Sequence, residues 1–166
     1  MQTRSQCPLQ LAFLVLLGCA PPTLALQTAA PVKVLASAEH EVGGVKVELL
    51  EVKRESPTVI TVRWRYRNET SEAKRLTNDR TGWVDPYRLS VESYLLDEVK
   101  QIKFPVARDD DRRPVASRNG QPNQYIVIRP KATLEVWAKY IVPEPTTAVT
   151  VSIEGIAPFP KIAISH

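Results

Sequence analysis

Between Thr58 and Arg67 the chain alternates without a break. Ile60, Val62, Trp64 and Tyr66 hold one set of positions, and Thr61, Arg63, Arg65 and Arg67 hold the other. A period of two sends successive side chains to opposite faces of a sheet, whereas a helix needs apolar positions three and four apart. No helical template fits, so this segment reads as a strand with one buried and one wet face. Trp64 becomes a core anchor, and the arginines become a basic stripe.

The same period recurs along the chain. After a Gly43-Gly44 turn, Val45, Val47 and Leu49 alternate with Lys46, Glu48 and Leu50. The Leu49-Leu50 pair breaks the period and predicts a β-bulge. Arg75 to Tyr87 reads as a polar loop, with Asn78, Asp79, Gly82 and Asp85-Pro86 as turn signals. Leu89, Val91 and Leu96 predict the next strand. A turn at Asp97-Glu98 leads to Ile102, Phe104 and Val106, and Asp109 to Arg113 forms a charged hairpin tip. Short strands follow at Tyr125–Ile128, at Leu134–Val142 with Trp137 and Tyr140 on opposite faces, at Val149–Ile153 and at Ile162–Ile164. Fourteen prolines fit a chain rich in turns and edges. Together these predict an all-β, antiparallel β-sandwich of about seven to nine strands over residues 32–166.

The N-terminus carries a different signal. Arg4 precedes an apolar run, Leu9 to Leu17, broken only by Gln10. That run is shorter than the ~20 residues that span a bilayer, so it reads as an export signal over residues 1–19. Leu16-Leu17-Gly18-Cys19 resembles the bacterial lipobox, which implies diacylglycerol on the Cys19 thiol and cleavage just before it. Leu17 stands where a smaller residue is commoner, and Thr23-Leu24-Ala25 offers a rival cut before Leu26. Residues 20–31 are uncharged, contain three prolines and read as an extended tether. Both cysteines, Cys7 and Cys19, precede the domain, so packing alone must hold it together.

A resemblance follows from several segments taken together. They are Val62 to Asn68, the Tyr94–Asp97 and Pro105–Asp109 hairpin, Leu134 to Pro143 with Trp137-Ala138-Lys139-Tyr140, and Ala157-Pro158-Phe159. The chain resembles a group of uncharacterised bacterial secreted lipoprotein domains of immunoglobulin-like type. Some of those domains are fused to outer-membrane-protein-A-type domains that bind peptidoglycan. The likeness covers most of residues 45–165 and implies an immunoglobulin-like sandwich in the cell envelope. It implies no active site, and the peptidoglycan-binding activity of the fused domains is not expected of these residues.

Composition removes several function classes. With Arg4 set aside, 21 basic side chains face 18 acidic ones, and the signs are interspersed. Nucleic-acid binders concentrate their basic charge, so that class is not expected. His40 and His166 are the only histidines, too few for a zinc or copper site or for a Ser-His-Asp arrangement. Asp109-Asp110-Asp111 lacks calcium-loop spacing and is followed at once by Arg112-Arg113. No catalytic residue, metal or cofactor is therefore assigned. Asn68-Glu69-Thr70 matches a glycosylation acceptor but carries no weight in a bacterial chain.

Two features are candidate binding surfaces. Arg63, Arg65 and Arg67 place guanidinium groups ~7 Å apart along one face; the alternative is a solvated face paired with cross-strand acids such as Glu48 and Glu51. Trp83, in a loop, is either a partner anchor or a plug for one end of the sandwich. The expected function is a non-enzymatic envelope lipoprotein, acting as a binding or scaffolding module. Its partners are the bilayer, through acylated Cys19, and another envelope protein or an anionic envelope polymer. Ala20 after the cysteine points to the outer membrane, facing the periplasm. The alternative is a soluble periplasmic or secreted ligand-binding module, released at Ala25.

Overall fold

A computed structural model describes residues 33–77, 85–121 and 124–166. The predicted signal, Cys19, the tether and Trp83 lie outside the described residues. Residues Val32–His166 form one compact unit.

The unit is all-β with antiparallel sheets. The first sheet contains β1 (Ala36–Glu39), β2 (Val45–Arg54), β3 (Val59–Asn68) and β8 (Thr133–Ile141), in the order β1-β2-β3-β8. The second contains β5 (Tyr94–Asp97), β6 (Ile102–Pro105), β9 (Ala148–Ser152) and β10 (Phe159–Ala163), in the order β10-β9-β5-β6. A two-stranded ribbon pairs β4 (Lys74–Arg75) with β7 (Val127–Ile128). The two larger sheets stay separate and do not close into a barrel.

The core follows from the period of two. Along β3, Ile60, Val62, Trp64 and Tyr66 are all buried, while Arg63 and Arg67 are exposed. On β8, Val136, Ala138 and Tyr140 turn inward, and Trp137 faces out. Inward residues of the second sheet, Leu95, Phe104, Val149, Val151 and Phe159, join those of the first in one hydrophobic cluster. The pairing of β2 with β3 slips between Leu49 and Glu51, which places the predicted bulge at Leu50. Because a bulge adds a residue to one strand only, Val47 and Leu49 before it and Val52 after it all reach the core.

One expectation is corrected. Leu89 and Val91 do not belong to a strand; they lie in a one-turn helix, α1 (Arg88–Val91). Asp85 starts the turn, its carboxylate accepting the Tyr87 N–H and its carbonyl accepting the Arg88 N–H. The helix aims Leu89 at the core and brings Ser93 beneath β8. There the Ser93 hydroxyl lies 2.6 Å from the Tyr140 hydroxyl and also donates to Ser90 O. The charged hairpin tip forms as expected, with Asp109 and Arg113 bonded across it. Asn68 is buried, its amide donating to carbonyls of Glu72 and Arg129 and its oxygen accepting from Thr70, so the folded chain offers no glycosylation site there.

Candidate functional site

The outer face of the first sheet holds the arginine stripe. Alternation puts Arg63, Arg65 and Arg67 on it, and each one meets a carboxylate. Arg65 Nε lies 2.5 Å from Glu48 Oε2; Arg67 lies 3.7 Å from Glu48 and 3.6 Å from Glu69; Arg63 lies 3.6 Å from Glu135. Register explains the partners. Glu48 sits opposite Arg65 on β2, and Glu135 sits opposite Arg65 on β8, one diagonal step from Arg63. Glu51 is opposite Arg63, yet the closer carboxylate comes from β8. The stripe is therefore a mixed-charge lattice whose positive field is largely cancelled at contact range.

Glu48 is the buried member of this lattice, its side chain 9% exposed. Arg65→Gln removes its close partner and leaves Arg67 at 3.7 Å. The expected loss is about 1–2 kcal/mol, read by urea unfolding. The Glu48→Gln/Arg65→Gln pair should recover part of it, because no charge is then left unpaired.

On the same face, Trp137 sits opposite Arg63 and is 36% exposed. It borders a hollow of about 270 Å³ shared with Glu55, Thr61, Arg63 and Lys139. Lys139 Nζ is 2.5 Å from Glu55 Oε2. A second hollow, of about 300 Å³, lies across Arg63 against Lys33, Leu50, Glu51 and Glu135. Arg63 forms the ridge between the two. The sequence placed Trp137 and Tyr140 on opposite faces of one strand but did not single out Trp137. Its signal was available, since a tryptophan in phase with polar neighbours must face outward.

A smaller polar cavity, about 70 Å³, lies where the β1–β2 turn meets the β9–β10 turn. His40, Glu41, Tyr66, Thr77, Arg88 and Glu154 line it. Arg88 bridges Glu92 at 2.9 Å and Glu154 at 2.8 Å. Ligand pockets usually exceed about 300 Å³, and a space this small takes a few waters. Among the described residues, no group of three or more His, Cys, Asp or Glu is placed to hold a metal ion. The cavity is a joint between the sheets.

His40 makes that joint sensitive to acid. The ring is buried and packs edge-on to Tyr66, and Nδ1 accepts the Val42 N–H at 3.0 Å. Burial lowers its pKa from the ordinary 6.5, with Glu41 opposing. A protonated Nδ1 carries its own hydrogen and cannot accept that bond. The folded state thus resists a proton that the unfolded chain takes, so stability is full above pH 6.5 and falls as the pH drops below it. Glu154 acts in the opposite sense. Burial raises its pKa above 4.5 despite Arg88, so its contribution grows as the pH falls through that raised value. His40→Asn separates the two, because the asparagine oxygen can take the Nδ1 position and does not titrate. Urea midpoints at pH 7.5 and 5.5, chosen at roughly one unit either side of the histidine value, should fall further for wild type than for His40→Asn. Equal falls would contradict the assignment.

No helix among the described residues is long and apolar enough to cross a membrane. No family model, curated protein or solved structure matches this chain.

Proposed function

We propose that the chain is an envelope lipoprotein whose immunoglobulin-like β-sandwich is a binding module, with the outer face of β3 and β8 as its contact surface. The observation that carries this reading is Trp137. It is a large aromatic side chain left open on a rigid strand, flanked in register by Arg63 and Lys139. Tryptophan and arginine are the side chains most enriched at binding hot spots. Strand-borne groups also hold their geometry better than loop-borne ones.

Support for the sandwich comes from two four-stranded antiparallel sheets around one core. Support for the anchor comes from Leu16 to Cys19 and from the uncharged, proline-bearing stretch after it. Recognition by stacking and hydrogen bonding suits the face better than attraction to a polyanion, because each stripe arginine is already ion-paired. The partner is therefore an envelope component of low net charge.

The test is co-sedimentation of the purified protein, prepared without its acyl chain, with envelope fractions of its own cell. Wild type should be retained, and Trp137→Ala should lose most of that retention while keeping its fold. Equal retention of the two proteins sinks the contact surface. The anchor is tested separately by the mass of the mature N-terminus. A diacylglycerol adduct on Cys19 supports it, and an unmodified Leu26 terminus replaces it with a released module.

A further inference from the structure

Strand alternation and register assemble the hollow beside Trp137. Sending Ile60 and Val62 inward sends Thr61 and Arg63 outward, and the pairing of β3 with β8 sets Thr61 opposite Lys139 and Arg63 opposite Trp137. Glu55 enters from the β2–β3 turn and is fixed by Lys139. That contact, helped by the Thr61 hydroxyl, holds the Glu55 carboxyl below the ordinary carboxylate range.

Two features of the hollow are unfinished. Thr61 is only 8% exposed, and its Oγ1 is buried with no hydrogen-bond partner. It lies near enough to Glu55 to act on the carboxyl, but outside bonding geometry. Buried hydroxyls are normally bonded. The Glu55–Lys139 pair that flanks it is 40% and 34% exposed, so solvent reaches the edge of the hollow beside it. The second unfinished feature is the open indole of Trp137.

A ligand that completes the hollow must meet three demands. It needs an apolar face for the indole. It needs hydroxyls that donate to Glu55 and Thr61 and accept from Lys139 and Arg63. It needs little net charge, because Glu55 and Lys139 neutralise each other and Arg63 already has Glu135 at 3.6 Å. A pyranose ring has one face of C–H groups and a rim of hydroxyls, and meets all three. A peptide meets the first but supplies few groups that both donate and accept. The volume, about 270 Å³, is below the usual range for drug-sized ligands and suits one ring. The neighbouring hollow across Arg63 gives room for the next ring.

We propose that this hollow is a subsite for one pyranose ring of a neutral glycan, stacked on Trp137 and hydrogen-bonded by Glu55, Thr61, Arg63 and Lys139. The proposal rests on reading this face as the contact surface and names its ligand class.

The experiment titrates ¹⁵N-labelled protein, free of its acyl chain, with chitotetraose, cellotetraose and maltotetraose at millimolar concentrations. At least one should shift the Trp137 indole N–H together with the amides of Thr61, Arg63 and Lys139. Trp137→Ala should then weaken binding about 30-fold, the size of a hot-spot loss. Trp137→Phe, which keeps an aromatic face, should weaken it less, and its spectrum checks the fold. No shift with any of the three sugars overturns the proposal, as does a shift centred elsewhere, for example at Tyr125. If envelope sedimentation still depends on Trp137 while no sugar shifts it, the glycan subsite is wrong and the contact surface stands. If a sugar binds at Trp137 but sedimentation ignores Trp137→Ala, the subsite stands and the contact surface is wrong.

Discussion

Arg54→Ala is expected to lower the unfolding free energy by about 3–5 kcal/mol, a large part of what holds a domain of this size together. Arg54 ends β2 and is 7% exposed. Its guanidinium points at backbone oxygens. Nη1 donates to Pro57 O at 2.8 Å and Val142 O at 2.9 Å, and Nη2 donates to Thr146 O at 2.8 Å. Hydrogen bonds from a charged donor contribute about 1.5–3 kcal/mol each, and removing the donor strands the buried acceptors. The grip matters because residues 143–147 carry the chain from β8 in the first sheet to β9 in the second. From the far side, Asp97 on β5 accepts the Thr146 hydroxyl at 3.2 Å. Arg54 and Asp97 thus hold one crossover between two sheets. Arg54→Lys keeps the charge but loses the planar fork, and should recover less than half of the loss. Urea unfolding reads both variants. A loss of under about 1 kcal/mol for Arg54→Ala would mean that the carbonyls find water instead.

Gly155→Ala is expected to cost about 2–4 kcal/mol through two separate terms. Gly155 sits at φ +78°, where an L side chain is strained. A Cβ there would lie 2.5 Å from His40 Nε2, 2.9 Å from Cε1 and 3.0 Å from Cδ2, so it would meet the ring rather than one atom. The ring cannot easily retreat. It is packed on Tyr66 and bonded to Val42, and Glu41 N–H donates to Gly155 O at 2.8 Å. In a His40→Ala background the clash is gone and only the backbone term remains, about 1 kcal/mol. Gly43 is the control. A Cβ there meets nothing within 4 Å, and Gly43→Ala should be close to neutral.

Legibility in the sequence tracked the range of the interactions. Trp64 as a core anchor, the outward arginines, and Trp137 and Tyr140 on opposite faces all follow from a period of two, which is a property of adjacent residues. The Leu50 bulge was visible because two leucines in a row break that period. Helix α1 was not visible. Four residues complete barely one helical turn, so Leu89 and Val91 satisfy a strand pattern equally well. Asp85-Pro86 gave a turn signal that was real but was the start of a helix. Arg54 left no trace, since two of its acceptors lie 88 and 92 residues away and are backbone oxygens of no particular residue type. His40 was invisible for the same reason: its neighbour Gly155 comes from the other sheet's turn. The partner of Arg63 depended on which of two facing strands came closer, and β8 supplied Glu135 where β2 had suggested Glu51.

The stripe illustrates how structure changes the meaning of a pattern. Three arginines in phase suggest an anion site when read alone. With Glu48, Glu69 and Glu135 in place they form a balanced surface, and beside it stand the exposed Trp137 and the unbonded Thr61 hydroxyl. This moves the candidate surface along β3 and across to β8.

The proposed contact surface is tested most directly by hydroxyl-radical footprinting of the protein with and without an envelope fraction of its own cell. Exposed apolar side chains report on separate faces. Trp137 and Ile141 lie on β8, Val99 and Ile102 at the β5–β6 turn, and Tyr125 and Val127 at the small ribbon. Trp137 and Ile141 should be protected, with Val99, Ile102, Tyr125 and Val127 oxidised as before. Protection at the β5–β6 turn or the ribbon, with Trp137 unchanged, would contradict it.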